Sequence, residues 1–167
     1  MISLASRDVQ PVPASASRSI LARWMGVTDI NVAGFVHGGT VMKLCDEVAG
    51  VAAIRHSHGR VVTAGVDRLT FLEPVQQGDL VTLLASVNAV WRTSMEVGVR
   101  VEAERPGSGE VRHTSSAYLT MVALDEHGRP TAVPPLLTES ELEVRREREA
   151  QTRRRNRLAE RDELRRS

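Results

Sequence analysis

One uninterrupted helical stretch, "GGTVMKLCDEVAGVAAIRHS", stands ahead of four long β-type runs, and that order leaves few ways to close a core. The helix is expected to begin near Gly38 or Gly39 and to reach about Ser57, with Gly59 ending it. The runs cover 60–72, 79–91, 94–104 and 111–124, with turn sequences such as "EPVQQG" and "RPGSGE" between them, and a shorter strand is expected over 20–27. Residues 94–104 alternate cleanly. Met95, Val97, Val99, Val101 and Ala103 face one way, and Ser94, Glu96, Arg100, Glu102 and Glu104 face the other, as in a strand with one wet face. One strand, a long helix and four strands in hairpin order describe an α+β domain, an antiparallel sheet with the helix on its concave face. A single helix cannot cover both faces, and an open edge invites pairing, so a homodimer is expected.

Composition sets the limits around this domain. Residues 1–16 are small, polar and Pro-containing, which predicts a flexible segment; 17–137 form the domain; 138–167 read as a charged helical tail. The tail opens with a cap at Thr138 or Ser140 and carries few apolar residues, so it is expected to be a solvated, partly frayed helix. Ten of the 21 arginines lie in residues 145–166, but eight acids share residues 138–167, so this is no basic arm and nucleic acid is not an expected partner. No apolar run approaches the roughly 18 residues that span a bilayer. The start lacks the pattern of a signal peptide. A single cysteine, Cys45, excludes an internal disulfide and a Cys-rich zinc site, and a cytoplasmic protein is expected.

The helix carries an acid in an unusual setting. At 100° per residue Val41, Leu44, Cys45, Val48, Val51 and Ala52 form the core stripe, and Asp46 lies away from it among Met42, Ala49, Gly50 and Ala53. Such neighbours predict a second, partly enclosed contact against another subunit or a ligand. A carboxylate stripped of some water becomes a better base. The alternative is a surface acid or an interface salt-bridge partner. Upstream, "HGGT" puts two residues without Cβ at the helix head, where exposed N–H groups suit an anion or the oxyanion of an attacked carbonyl. A tight turn that needs glycine would explain the same pair.

The pattern N-x-x-G-x-x-H-G-G-x-x-x-x-x-x-D-E-x-A-G, from Asn31 to Gly50, resembles the hotdog-fold acyl-CoA thioester hydrolases. The likeness continues in order through 62–81, 92–104 and 117–136, covering about Ser19 to Leu137. The resemblance implies a hotdog fold, a central helix wrapped by a curved antiparallel sheet, paired into dimers and commonly into trimers of dimers. It implies thioester hydrolysis of acyl-CoA with no cofactor, metal or prosthetic group, coenzyme A being part of substrate and product. Asp46 takes the place of the catalytic acid, as general base or nucleophile. Asn31 matches an asparagine contributed across the dimer interface, and the backbone N–H near Gly39 is the expected oxyanion donor. His37 and Gly38 at the helix head join the substrate-binding set. The pantetheine arm would follow the turn after Phe71 and pass Thr93 and Ser94, with Arg68 or Arg92 meeting phosphate.

Other chemistries fit less well. Cys45 lies on the apolar stripe, where it acts as a small hydrophobe. The five histidines show no metal-ligand spacing. Ser115 and Ser116 lack a G-x-S-x-G setting. A hotdog hydratase would want an Asp/His pair placed elsewhere. The remaining rival is a hotdog protein that binds acyl-CoA without turning it over, as sensor or structural partner.

Overall fold

The computed structural model describes residues 10–166. In chain order these form β1 (Val12–Pro13), β2 (Ser19–Trp24), α1 (Gly38–Ser57), β3 (Arg60–Phe71), β4 (Leu80–Val90), β5 (Ser94–Arg105), β6 (Glu110–Leu124), β7 (Leu136–Leu137) and α2 (Glu141–Leu164). Strands β2, β4, β5, β6 and β3 lie side by side in that order, each pair antiparallel. The sheet folds around α1 in the hotdog arrangement. The expected α+β architecture is therefore the observed one.

Burial of α1 against this sheet makes the core. Val41, Leu44, Cys45, Val48, Ala52 and also Ala49 and Ala53 are buried, against Leu83, Val97, Val101, Leu119 and Met121 from the strands. Each fully buried aliphatic side chain of this size contributes about 1.5–3 kcal/mol. Two expectations are corrected here. Val51 is 44% exposed, and Ala49 and Ala53, expected beside Asp46, are wholly inside the chain's own core. The sheet wraps a wider arc on one flank of the helix than a half-circumference stripe assumes. Helix α1 ends at Ser57 as expected, but it is His58, not Gly59, that takes the left-handed conformation (φ 53°) and donates its N–H to Ile54 O at 2.9 Å. Just before it, the buried imidazole of His56 has Nε2 3.0 Å from Pro134 O, while its Nδ1 has no partner.

The flanks belong to the fold more than composition suggested. β1 and β7 pair in parallel, and the 3-10 turn Ala14–Ser17 buries Ala14 and Ser17, whose hydroxyl accepts from Val87 N at 2.9 Å. Flexibility through residue 16 is thus corrected for residues 12–16; residues 1–9 of that segment lie outside the described ones. The tail is corrected too. Ser140 caps α2, and the helix lies along the face of the sheet opposite α1. Arg153 forks onto Glu96 through Nε (3.0 Å) and Nη2 (2.7 Å), Asn88 Nδ2 donates to the same carboxylate at 3.1 Å, and the guanidinium stacks 3.7 Å over the Tyr118 ring. Trp91 Nε1 donates to Gln151 at 3.0 Å. The wet face expected of β5 is dry at Glu96, which is fully buried. Two residues further along β5, a Cβ on Gly98 would lie 2.5 Å from Asn88 Nδ2, so a larger residue there would have to displace the amide that donates to Glu96.

The opposite side of the sheet's arc is open. Among the described strands β3 has only β6 as neighbour, and Val62 and Val66 on it and Met42 and Ile54 on α1 are exposed. No helix among the described residues is long and apolar enough to cross a membrane.

Two outcomes follow from the buried groups. Arg153→Ala leaves the Glu96 charge buried and unpaired, and should cost about 3–5 kcal/mol in urea unfolding. His56 is pushed below its ordinary value by burial, with His58 adding to the effect and the Pro134 carbonyl opposing it. The unfolded chain therefore takes up the His56 proton more readily. This contribution is complete above about pH 6.5 and is lost as pH falls below it. Melting temperature should drop between pH 7.5 and 5, and His56→Gln should flatten that slope.

Candidate active site

The loop ahead of α1 is held by buried Asp29. Its carboxylate accepts from Arg23 Nη2 (2.7 Å) and Gly26 N (2.8 Å), and its carbonyl accepts His37 N at 2.8 Å. His37 O takes the N–H groups of Thr40 (3.0 Å) and Val41 (3.3 Å), so Gly38 and Gly39 present the first amides of the helix. The imidazole of His37 is exposed. Asn31 folds its own loop: its N donates to Phe35 O at 2.7 Å and its Oδ1 accepts Ala33 N at 2.9 Å and Phe35 N at 3.3 Å. That leaves Nδ2 as the end of the side chain that can address another group.

Asp46 lies two turns into α1. Within the single chain it is exposed, and it forms one wall of a crevice of about 390 Å³. Gly39, Met42 and Lys43 line the crevice from α1, Val66 and Leu69 from β3, and Leu119 from β6. The amide-bearing helix head and the acid thus open onto one space. Thr63 Oγ1 donates to Asp46 Oδ1 at 2.5 Å. Sequence reasoning missed Thr63, whose hydroxyl nothing local marks as a partner of Asp46, and it missed the pattern of β3 that places Val66 beside it. The pairing of β3 with β6 skips a residue between Thr63 and Gly65 and again between Val66 and Arg68. Two bulges three residues apart bring Thr63, Val66 and Leu69 to the inner face, opposite Met121, Leu119 and Ala117. Strict alternation would have selected a different set.

A second cavity, of about 370 Å³, lies on the other side of the helix head, between Phe35, Gly38, Phe71, Leu72 and Val75. A Cβ on Gly38 would come within 3.1 Å of Phe71 Cζ, so the ring rests directly on the glycine. Gly38, Phe71 and the His37 backbone therefore sit together. Arg68 pairs in register with Tyr118, on the face that carries α2. Arg92, Thr93 and Ser94 lie at the far end of the sheet. Ser94 is paired with Val122 near the Arg60 end of β3, while Phe71 pairs with Ser115 beside the helix head. Within one chain these four residues do not meet Gly39 and Asp46.

Cys45 lies behind Asp46, buried. Burial and then the neighbouring carboxylate push its thiol up to about 12. Among the described residues no three His, Cys, Asp or Glu side chains gather as a metal set would.

Residues 33–110 match the thioesterase superfamily. Acyl-CoA hydrolase from Staphylococcus aureus, solved with butyryl coenzyme A and coenzyme A, superposes with a TM-score of 0.86 at 32% identity, over 93% of this chain and 94% of that one. The chain belongs to the acyl-CoA thioester hydrolases of the thioesterase superfamily. Structures of the S. aureus hydrolase have also been solved with an asparagine, an aspartate or a threonine replaced by alanine. A hexameric acyl-CoA thioesterase superposes at 0.88 with 38% identity, over 91% of this chain and 97% of that one. The cytosolic acyl coenzyme A thioester hydrolase of Rattus norvegicus is 38% identical over 139 residues, 82% of this chain; the chain spans 36% of that hydrolase's length.

The setting of Cys45 predicts an inert thiol. Native protein at pH 8 should show no alkylation of Cys45 by iodoacetamide in intact-mass spectra, and denatured protein should take up one label.

Proposed function

We propose that this chain hydrolyses acyl-CoA thioesters to the free acid and coenzyme A. One observation carries the reading: Gly39 and Asp46 open onto the same crevice, with Thr63 holding the carboxylate by a 2.5 Å hydrogen bond. The thioester carbonyl accepts from the N–H of Gly39, where helix-terminal amides favour the negative charge that develops on oxygen. Asp46 activates a water as general base, or attacks the carbonyl directly to give an anhydride that water opens. Thr63 fixes which carboxylate oxygen faces the substrate. Asn31, from a second copy, donates through Nδ2 to the water or to the carboxylate. No metal or prosthetic group takes part.

The S. aureus variants support these roles. The asparagine, aspartate and threonine replaced there are separated by 15 and 17 positions, the spacing from Asn31 to Asp46 and from Asp46 to Thr63. The exposed β3 edge supports a homodimer, and the hexameric relative supports a trimer of dimers. Antiparallel pairing along two β3 strands brings the far end of one chain toward the helix head of the other. Arg92, Thr93 and Ser94 of a second copy then approach the cavity beside Gly38 and Phe71, which would take the pantetheine arm, while Arg68 is left to meet a phosphate on the outer side. The place of action in this proposal is the cytoplasm, as the name of the rat relative suggests.

The test is thiol release from a series of acyl-CoA substrates of different chain length. Asp46→Asn should lower kcat by about 10²–10⁴ with the fold and assembly intact. Thr63→Val removes a hydrogen bond to a charged group and should cost about tenfold or more. Tight binding of acyl-CoA without thiol release would replace this reading by that of a non-catalytic binder.

A further inference from the structure

Asp67 occupies the second bulge of β3, the extra residue between Val66, which pairs with Leu119, and Arg68, which pairs with Tyr118. An unpaired residue in a bulge has no ladder to decide which way it points. Here the decision comes from outside the sheet: Asp67 forms an ion pair with Arg157 of α2, and its side chain is only 12% exposed. Arg157 stands four residues after Arg153, on the same face of the helix, and Arg153 is already anchored on Glu96 of β5. Helix α2 therefore reaches from an interior strand, past Tyr118 of β6, to the sheet's margin.

The consequence appears on the other face. Regular alternation through this stretch would turn residues 63, 65, 67 and 69 inward. The two bulges select Thr63, Val66 and Leu69 instead, and of these Val66 and Leu69 form the β3 wall of the Asp46 crevice. A one-residue slip in a strand exchanges its two faces. Removing the second bulge would carry an acid into that apolar wall, or push Leu69 out of it. We propose that Arg157 and Asp67 are positioning residues for substrate: the ion pair pins the bulge from outside, and α2 acts as a strut that sets the crevice wall facing the acyl chain. This rests on the hydrolase reading given above.

Steady-state kinetics on the full chain, over acyl-CoA substrates of increasing length, test it. Arg157→Gln and Asp67→Asn should each raise KM by about threefold to tenfold, most for the longer chains, with kcat within about twofold of wild type. The double variant should match the singles, since both break one contact. Arg155→Gln, the same charge change on a residue that does not reach the sheet, should behave as wild type. Emission from Trp91, which contacts Gln151, reports whether α2 stays docked. If Arg157→Gln shifts that emission, Asp67→Asn, which leaves the helix untouched, decides. Unchanged KM across the series in Asp67→Asn, or additive effects in the double variant, overturns the proposal. Should wild type release no thiol, the hydrolase reading fails separately, and affinity for a non-hydrolysable acyl-CoA thioether, compared between wild type and Asp67→Asn by the same criteria, still decides the role of the pair.

Discussion

The burial of α1 against one face of one antiparallel sheet determines where every other part can stand. The helix has to run along the hollow of the sheet to hide Val41, Leu44, Val48 and Ala52, and so its first turn emerges at the rim, where backbone amides are free of intrahelical partners. The same placement forces the flank of the helix that carries Asp46 toward the margin formed by β3. An acid and a set of uncovered amides thus come to share a crevice as a by-product of core formation. No further element is needed to bring them together.

The outer face poses the complementary problem, and α2 answers it with polar groups. Most of the inward side is aliphatic, whereas the outward side buries a carboxylate, a guanidinium, an amide and a phenol ring in mutual contact. Such an arrangement is worth little as net stabilisation compared with an apolar seam, but it is sensitive to register, because each donor must meet its own acceptor. The Arg153 fork fixes where the helix lies to within the reach of a hydrogen bond.

Much of this was legible in the sequence, for reasons that differ by element. Helix α1 and strands β4 to β6 follow simple periods of 3.6 and 2, and their limits were read within a residue or two. The tail was misread because its burial involves arginine and glutamate, which composition assigns to solvent; nothing local marks Glu96 as the one acid on β5 that meets a partner more than 50 residues away. Thr63 was missed because nothing local singles its hydroxyl out from the other threonines of the strands; the two extra residues in β3 hide Val66, which strict alternation from Thr63 to Leu69 would turn outward. Asp46, Gly38 and Gly39 were legible since an acid among small neighbours and a pair of glycines at a helix head are local signals. Arg92, Thr93 and Ser94 came only from family likeness, and one chain by itself does not unite them with the acid.

Lys43, on the lip of the crevice beside Asp46, is the only lysine in 167 residues, the other side-chain cations being arginines or histidines. Apart from the terminal amine, amine-directed reagents have a single address on this protein, and it lies at the mouth of the cavity that holds the acid. Coupling to activated-ester resins or dyes would therefore obstruct that mouth, whereas the same residue offers a ready attachment point for a fluorophore or cross-linker meant to report on what enters.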